Sequence, residues 1–249
     1  MNRVILSDST DETILAVTRQ HKLVDLEIEQ QINTEIVGCI YKGIVKNIVP
    51  AVDGIFVDIG IGKNAFLRRK DLLNEKRFPT EGSPILAQVI KSDTDMKGAL
   101  ITEKISMLGK YAVTLSGTGY IGVSKKIRSE SVRKRLKEIG KEICAEHMGL
   151  IIRTAAENAD MDEFRKDITR LKENWDIIQK RFRMEKSPTL LYRESDIIVK
   201  ALRDYVNKGT EILITDNRKI YERICKLNES EHTIEPCLLY TSPSPRDRS

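Results

Sequence analysis

The chain has 249 residues, of which 40% are hydrophobic and 32% are charged, a composition that supports one or two folded domains. Lys and Arg outnumber Asp and Glu by only 42 to 37, so affinity for nucleic acid has to come from local clusters of basic residues and not from overall charge. Because the amino terminus lacks a secretory apolar segment and no apolar run reaches about eighteen residues, we predict a soluble, cytoplasmic protein without a membrane span.

The first 30 residues predict a ribbon of three strands. Residues 3–8, 12–18 and 23–29 have strand character, and a turn-forming segment at 7–11 separates the first two strands. A ribbon of this kind has one apolar face but no second layer to cover it. We therefore expect it to pack against elements from later in the sequence.

The strongest strand and turn signals follow this ribbon. Apolar and polar residues alternate over 40–48, and turn residues at 50–54 and 60–64 separate this strand from GIFVDIG and NAFL. The pattern predicts three antiparallel strands of a small curved sheet, with further strands at 85–91 and 99–102. One face of such a sheet fills a barrel core, and the other can meet a ligand. The predicted outward row consists of Lys42, Lys46, Phe56, Phe66, Arg68 and Arg69.

This outward row has two interpretations. Strand phenylalanines are more often core residues than ligand contacts, and surface lysines often serve only solubility. In the alternative, bases stack on the aromatic rings while the cations meet phosphates. The order G-x-I-Y-x-G-x-V, a turn, G-x-F-V-D-x-G and A-F-L resembles the S1 RNA-binding domain, an OB-type barrel. This resemblance favours the interpretation as an RNA-binding surface.

The middle of the chain predicts a mixed region of strands and helices. Two strand-like runs in 105–128 flank a glycine-bearing segment at 116–119, which predicts a hairpin. A helix with an apolar stripe follows Ser129, and a short buried strand covers 149–154. A second helix follows Asp160, whose surroundings resemble a capping box.

The remaining residues alternate between strands and helices. Strands are predicted at 189–192 and 211–216, with a third helix over 196–205 between them. Asn217 can cap a last helix. Residues 237–249 hold turn-forming and breaker residues without periodicity, which predicts a disordered tail.

Stretches throughout the chain resemble the ribonuclease E/G family, in the order in which the family has them. They are VGCIYKGIV, GIFVDIG, KGALIT, ISMLGKYAV, GVSKKI, IIRTAAE, LYRESDIIVKALRDY and EILITD. The resemblance implies an α+β protein of several subdomains, in which an RNase H-like subdomain is interrupted by an S1 β-barrel and an α/β 5′-sensor domain. The implied divisions are 1–35 and 195–236 for the RNase H-like subdomain, 36–104 for the S1 domain, 105–194 for the 5′-sensor domain and 237–249 for a tail outside the family.

The resemblance also implies which residues bind RNA. Phe56 and Phe66 match aromatic residues that contact bases in the family's S1 domain, and Lys97 matches a basic contact on the same channel. Lys42, from the predicted outward row, completes this set. The implied partner is single-stranded RNA with a 5′-monophosphate end. A basic pair at 125–126 lines an RNA path in one interpretation and is a solvated pair in the other.

A second implied site binds the 5′-monophosphate. Gly109 and Val113 match backbone contacts of the family's pocket, and Arg153 and Thr154 match its side-chain ligands. A guanidinium can grip two phosphate oxygens, a hydroxyl can donate to another, and backbone N–H groups can complete the site. The alternative is that Arg153 is an ordinary surface arginine at a strand end.

The family's catalytic half has no counterpart in this sequence. In the family, paired aspartates of a DNase I-like domain hold Mg²⁺, and the resemblance ends near residue 236. The cysteines, at positions 39, 144, 225 and 237, form no C-x-x-C pair, which argues against a zinc site or a disulfide framework. We therefore assign no catalytic or metal-binding residue.

The implied function is the RNA-binding and 5′-sensing half of an endoribonuclease for RNA processing or decay. We predict that this chain alone binds RNA without cutting it. We expect a homo-oligomer only if the missing half is present. The alternative is a non-catalytic S1-type RNA-binding protein linked to translation or ribosome assembly.

Overall fold

The computed structural model describes residues 2–9, 12–30, 36–76, 78–94, 97–144, 148–193, 197–206, 212–228 and 236–238. They form two compact units, of which the first combines Met1–Glu35 with Ser195–Ser249 and the second is Ile36–Glu194. The strands are β1 (Asn2–Asp8), β2 (Glu12–Arg19), β3 (Lys22–Gln30), β4 (Ile40–Val49), β5 (Gly54–Asp58), β6 (Ala65–Arg68), β7 (Pro84–Lys91), β8 (Leu100–Thr102), β9 (Ser106–Leu108), β10 (Ala112–Ser116), β11 (Ile121–Val123), β12 (Met148–Ile152), β13 (Thr189–Tyr192), β14 (Ile212–Thr215) and β15 (Pro236–Leu238). The helices are α1 (Glu130–Ile143), α2 (Met161–Met184), α3 (Ile197–Asp204) and α4 (Arg218–Asn228).

The first unit contains a five-stranded sheet in the order β15-β14-β1-β2-β3. Strands β1, β2 and β3 run antiparallel, whereas β14 lies parallel to β1 and β15 parallel to β14. The predicted ribbon is confirmed, and it packs on later elements as expected. Its buried side chains, such as Leu6 and Leu15, alternate with less buried ones and share a core with Ile197 of α3 and Ile224 of α4.

The carboxyl-terminal prediction is wrong at its first residues. Cys237 and Leu238 belong to β15 and pair with Ile214 and Thr215 of β14, so they are not part of a disordered tail. A parallel partner far away in sequence supplies the pairing, which local breaker residues cannot indicate. Residues 239–249 lie outside the described residues, as do residues 194–196 and 211.

The second unit begins with a closed five-stranded barrel. Its strands follow the order β4-β5-β6-β8-β7, and β7 returns to pair with β4. The β6–β8 pair is parallel and the other pairs are antiparallel, which gives the Greek-key order of an OB-type barrel. Alternate residues such as Ile55, Val57 and Leu67 fill the barrel core. The prediction of an OB-type barrel is confirmed.

A four-stranded sheet, in the order β11-β12-β10-β9, packs against α1 and α2 in the same unit. The Ser129 side chain accepts a hydrogen bond from the N–H of Val132 at the start of α1, and the Asp160 side chain accepts one from Asp162 at the start of α2. These contacts satisfy N–H groups that have no partner within the helix. Phe164 of α2 is fully buried in this core.

The predicted hairpin across 116–119 is wrong. Strand β12 lies between β10 and β11, and β11 pairs with it in parallel. The actual hairpin joins β9 to β10 through the turn at 109–111. Helix α2 stabilises this turn, because the Asp167 carboxylate accepts hydrogen bonds from the N–H groups of Lys110 and Tyr111 at 3.1 and 2.8 Å.

Candidate nucleic-acid interface

Two phenylalanines form an aromatic pair on the outside of the barrel. Phe56 of β5 and Phe66 of β6 lie directly opposite each other, with ring centroids 5.4 Å apart and planes inclined at 53°. Both side chains are partly exposed, whereas their strand neighbours Ile55 and Leu67 are buried in the barrel core. The structure therefore places these two rings on the outward row, where nucleic-acid bases can stack on them.

Gly54 lets the Phe66 ring lie flat against β5. A Cβ atom at position 54 would stand 2.2 and 2.3 Å from Cε2 and Cζ of that ring. These distances are far shorter than the contact distance of about 3.5 Å between carbon atoms. The glycine of the G-x-F-V-D motif is therefore needed for the close approach of the ring.

The basic residues around the aromatic pair differ in their contacts. Lys46 pairs with Asp58 at 3.3 Å, and Arg68 pairs with Asp71 at 2.5 Å. Lys97 is exposed in the loop between β7 and β8, where its N–H donates to the Thr94 carbonyl at 3.2 Å. Exposed cations within reach of stacked bases can meet the phosphates between them.

Lys42 is the exception among the predicted contacts, because the structure places it inside the unit. Its residue is only 9% exposed, and Nζ donates to the Glu185 carbonyl at 2.6 Å and lies 5.0 Å from the centre of the Phe182 ring. The prediction that the Lys42 side chain lies in the outward row is therefore wrong. Strand β4 is buried on both faces over its first four residues, because Phe182 of α2 and the following Glu185 contact Lys42 on the face that the alternation predicted to be open.

Arg153 extends from the end of β12 towards the turn between β9 and β10. Its Nη1 donates to the carbonyl oxygens of Gly109 and Lys110 at 2.8 and 3.3 Å, and its N–H donates to the Tyr111 carbonyl at 2.7 Å. These contacts fix the guanidinium beside the turn. Arg153 is only partly buried.

Two hydroxyl groups lie next to each other at the same end of the sheet. The Oγ of Ser124, which follows β11, is 3.0 Å from Oγ1 of Thr154. Thr154 is exposed and begins a short 3-10 turn. A guanidinium and two hydroxyl groups form a donor set that suits phosphate oxygens.

Gly109 and Val113, the predicted backbone contacts of the phosphate site, lie in the turn before β10 and in β10. The N–H of Gly109 donates to the Ala112 carbonyl at 2.8 Å, so in this conformation the hairpin uses it. A Cβ atom at position 109 would stand 2.5 Å from Oδ2 of Asp167, which shows how tightly the turn packs on α2. Val113 pairs with Leu108 and Ile151, and it is half-buried on the face of the sheet opposite the helices.

Sequence reasoning missed Ser124 and Asp167. Ser124 had no motif to mark it, because its role depends on the parallel pairing of β11 with β12. Asp167 did leave a signal: it lies between Phe164 and Leu171, within the apolar stripe of α2. A carboxylate at a buried helix position needs donors, and the turn at 109–111 supplies them.

The first unit contains two aspartates at adjacent strand ends, and protein donors hold both carboxylates. Asp216 accepts hydrogen bonds from the Ser7 hydroxyl and the Asp8 N–H. Asp8 accepts from Thr13 and from the Asn217 amide. Each of the four carboxylate oxygens thus has a protein donor, which fixes both carboxylates at this edge of the sheet.

Two family models match the chain in sequence. The model of the S1 RNA binding domain matches residues 34–102, and the model of the Ribonuclease E/G family matches residues 106–242, more than half of the chain. The chain belongs to the ribonuclease E/G family. Among the residues that the structure describes, this family member has no helix that is long and apolar enough to cross a membrane.

Several curated relatives are similar along most of the chain. Ribonuclease G of Escherichia coli K12 is 32% identical over 238 residues, which cover 89% of this chain and 49% of that protein. Ribonuclease G of Haemophilus influenzae is 31% identical over the same share of this chain. Ribonuclease E of Buchnera aphidicola from Schizaphis graminum is 30% identical over 98% of this chain and 27% of its own length. The chain spans about half the length of the ribonuclease G relatives.

Proposed function

We propose that this family member binds single-stranded RNA on the Phe56–Phe66 face and recognises a 5′-monophosphate at Arg153 and Thr154. The observation that carries the proposal is the donor set at the end of the four-stranded sheet. There the Arg153 guanidinium lies beside the turn, and the Ser124 and Thr154 hydroxyls lie 3.0 Å apart. Such a site can hold one terminal phosphate by charge-assisted hydrogen bonds.

The chemistry of the site at Arg153 and Thr154 favours a 5′-monophosphate over other RNA ends. A 5′-hydroxyl end offers no charge to the guanidinium, so it forgoes the strongest contact of the site. A triphosphate adds charge and bulk next to the turn at 109–111, which packs tightly on Asp167. The site therefore distinguishes RNA ends by their phosphate number.

For the whole protein we propose an endoribonuclease of RNA processing or decay in the cytoplasm. Its relatives carry the names ribonuclease G and ribonuclease E. The chemistry of cleavage would use Mg²⁺ held by paired aspartates of the family's catalytic domain, and oligomers would involve that half as well. This chain alone would bind RNA without cutting it, because the resemblance to the family assigns none of its own residues to catalysis.

Within this proposal the first unit is an RNase H-like scaffold. Its sheet order, with three antiparallel strands followed by two parallel ones, supports that assignment. The second candidate function is a non-catalytic S1-type RNA-binding protein, linked to translation or ribosome assembly. The closed barrel with its outward aromatic pair favours RNA binding in either case, so only the dependence on the RNA end separates the two.

The test compares three RNAs of one sequence, with 5′-hydroxyl, monophosphate and triphosphate ends and a fluorophore at the 3′ end. We expect the monophosphate RNA to bind most tightly to the wild-type chain, and Arg153→Ala to remove this preference. Arg165→Ala is the matched control, because Arg165 is an exposed arginine paired with Glu142 on the helical side. Equal binding of the three RNAs to the wild type would support the non-catalytic alternative.

A further inference from the structure

The four-stranded sheet of the second unit has an uncovered apolar face. One residue from each strand forms a row across it, because Val113 pairs with Leu108 and Ile151, and Ile151 pairs with Gly122. Leu108 and Ile151 are each 39% exposed. Among the described residues, the helices cover only the opposite face, and this row is open to solvent.

Tyr120 lies over one end of this row. A Cβ atom on Gly122 would stand 2.8 Å from Cε1 and 3.3 Å from Cζ of the Tyr120 ring. The ring therefore rests directly on the Gly122 backbone, and the missing side chain at that position makes room for it. Tyr120 is nevertheless 65% exposed, so the other face of its ring is open to a ligand.

The segments that form this sheet and its loops are rich in cations, with Glu103 and Glu157 at their borders. Residues 104–129 and 148–156, which form the sheet strands and their loops, include six basic residues and not one Asp or Glu. An open apolar face with cations in the neighbouring loops suits a polyanion with flat apolar rings. The six basic residues are Lys104, Lys110, Lys125, Lys126, Arg128 and Arg153.

We propose that Tyr120 stacks on the base of the 5′-terminal nucleotide while Arg153 and Thr154 hold its phosphate. This inference rests on the proposed function, and it adds a base subsite to the phosphate site. Stacking on a tyrosine ring tolerates every base, since each base has an aromatic face. The 5′ end is thereby recognised as a complete nucleotide and not only as a phosphate.

The spacing along the strands supports this arrangement. Arg153 follows Ile151 by two residues, and its extended backbone conformation keeps its side chain on the same face. Ser124 follows Gly122 by two residues in the parallel neighbour. Two residues of a strand span about 6.6 Å. Because the Tyr120 ring covers Gly122, it lies about that distance along the strand from Ser124. A base and its own 5′-phosphate can occupy both places at once.

The experiment removes the ring and the base in turn. Affinity is measured for 5′-monophosphate RNAs whose first nucleotide carries a base or is abasic, with the wild type, Tyr120→Ala, Tyr120→Phe and Tyr120→Leu. In Tyr120→Leu an apolar side chain still covers Gly122 but cannot stack on a base. This variant therefore shows whether binding needs an aromatic ring or only an apolar side chain over Gly122. Ile177→Ala, at an exposed position of α2, is the matched control.

We expect Tyr120→Ala and Tyr120→Leu to weaken binding of the base-carrying RNA about fivefold or more, and Tyr120→Phe to leave it unchanged. The abasic RNA should bind all four proteins alike. An equal loss on both RNAs, or no loss on either, would overturn the proposal, as would a full recovery in Tyr120→Leu. If the wild type does not prefer a 5′-phosphate, the proposed function fails, yet a loss that requires the base would still support stacking on Tyr120.

Discussion

The close approach of Gly54 to the Phe66 ring predicts that Gly54→Ala lowers the free energy of unfolding only when the ring is present. In Gly54→Ala, the new methyl group would stand 2.2 Å from Cε2 of the ring, so the ring has to retreat by about 1.3 Å to reach an ordinary contact of about 3.5 Å. Because Phe66 is only partly buried and stands at the surface of the barrel, the ring can swing outward. The barrel should therefore stay folded.

The expected cost in the free energy of unfolding is about 1 to 3 kcal/mol, the usual range for overpacking. The displaced ring also leaves its place 5.4 Å from Phe56. If bases stack on this pair, the affinity for RNA should fall roughly fivefold or more. The variant thus changes RNA binding without removing an aromatic residue.

The assay is a double-mutant cycle with Phe66→Ala, measured by urea unfolding. Without the ring, the methyl group at position 54 has no clash, and alanine is favoured over glycine in a strand by about 0.5 to 1 kcal/mol. Gly54→Ala should therefore destabilise the wild type but be neutral or stabilising in the Phe66→Ala background. Equal destabilisation in both backgrounds would refute the reasoning.

Three further predictions concern single side chains. Lys42→Met should lower the free energy of unfolding by about 1 to 3 kcal/mol, because the Glu185 carbonyl loses its donor, whereas RNA affinity in a binding titration should not change. Asp167→Ala should lower the free energy of unfolding by about 2 to 4 kcal/mol, since the N–H groups of the turn at 109–111 lose their acceptor. The variant should also discriminate less between RNA ends. An unchanged unfolding midpoint would contradict this prediction. Burial raises the pKa of Glu103 above its usual 4.5. The folded chain thus keeps this proton to a higher pH than the unfolded chain. The protonated Glu103 carboxyl therefore stabilises the fold below about pH 4.5, and this stabilisation is lost as the pH rises through the pKa of the folded chain. Relative to Glu103→Gln, the wild type should lose stability as the pH rises above about 4.5, and parallel stability profiles would contradict this prediction.

The barrel was the part of the fold that the sequence predicted best. Its strands are short and turn residues bound them, so local alternation and local turns carry most of the information. The outward position of Phe56 and Phe66 follows from that alternation. The predicted outward position of Lys42 failed for a non-local reason, because the contacts that bury it come from Phe182 and Glu185, more than 130 residues later in the chain.

Two other differences also arise from distant pairings. Strand β11 looked like the second half of a hairpin, yet it pairs with β12, which follows after the whole of α1. Cys237 looked like part of a tail, yet β14 pairs with it. Turn signals show where a strand ends but not which strand it meets.

The candidate 5′-end site also shows that the sequence does not indicate which distant segments come together. The resemblance singled out Arg153 and Thr154, but it could not indicate that the Arg153 guanidinium contacts the turn at 109–111 or that Ser124 lies beside Thr154. Nor could it indicate that the N–H of Gly109, a predicted backbone contact, donates to the Ala112 carbonyl within the hairpin. Chemistry-bearing residues can be found in sequence, whereas their partners depend on the pairing of the sheet.

The most direct test of the central claim is the affinity of the purified chain for 5′-monophosphate RNA relative to otherwise identical 5′-hydroxyl and 5′-triphosphate RNAs, in the wild type and in Arg153→Ala. Recognition of the RNA end predicts the tightest binding for the monophosphate, and nearly equal binding of all three by the variant. Equal binding of the three RNAs to the wild type, or a preference that survives in Arg153→Ala, would contradict it.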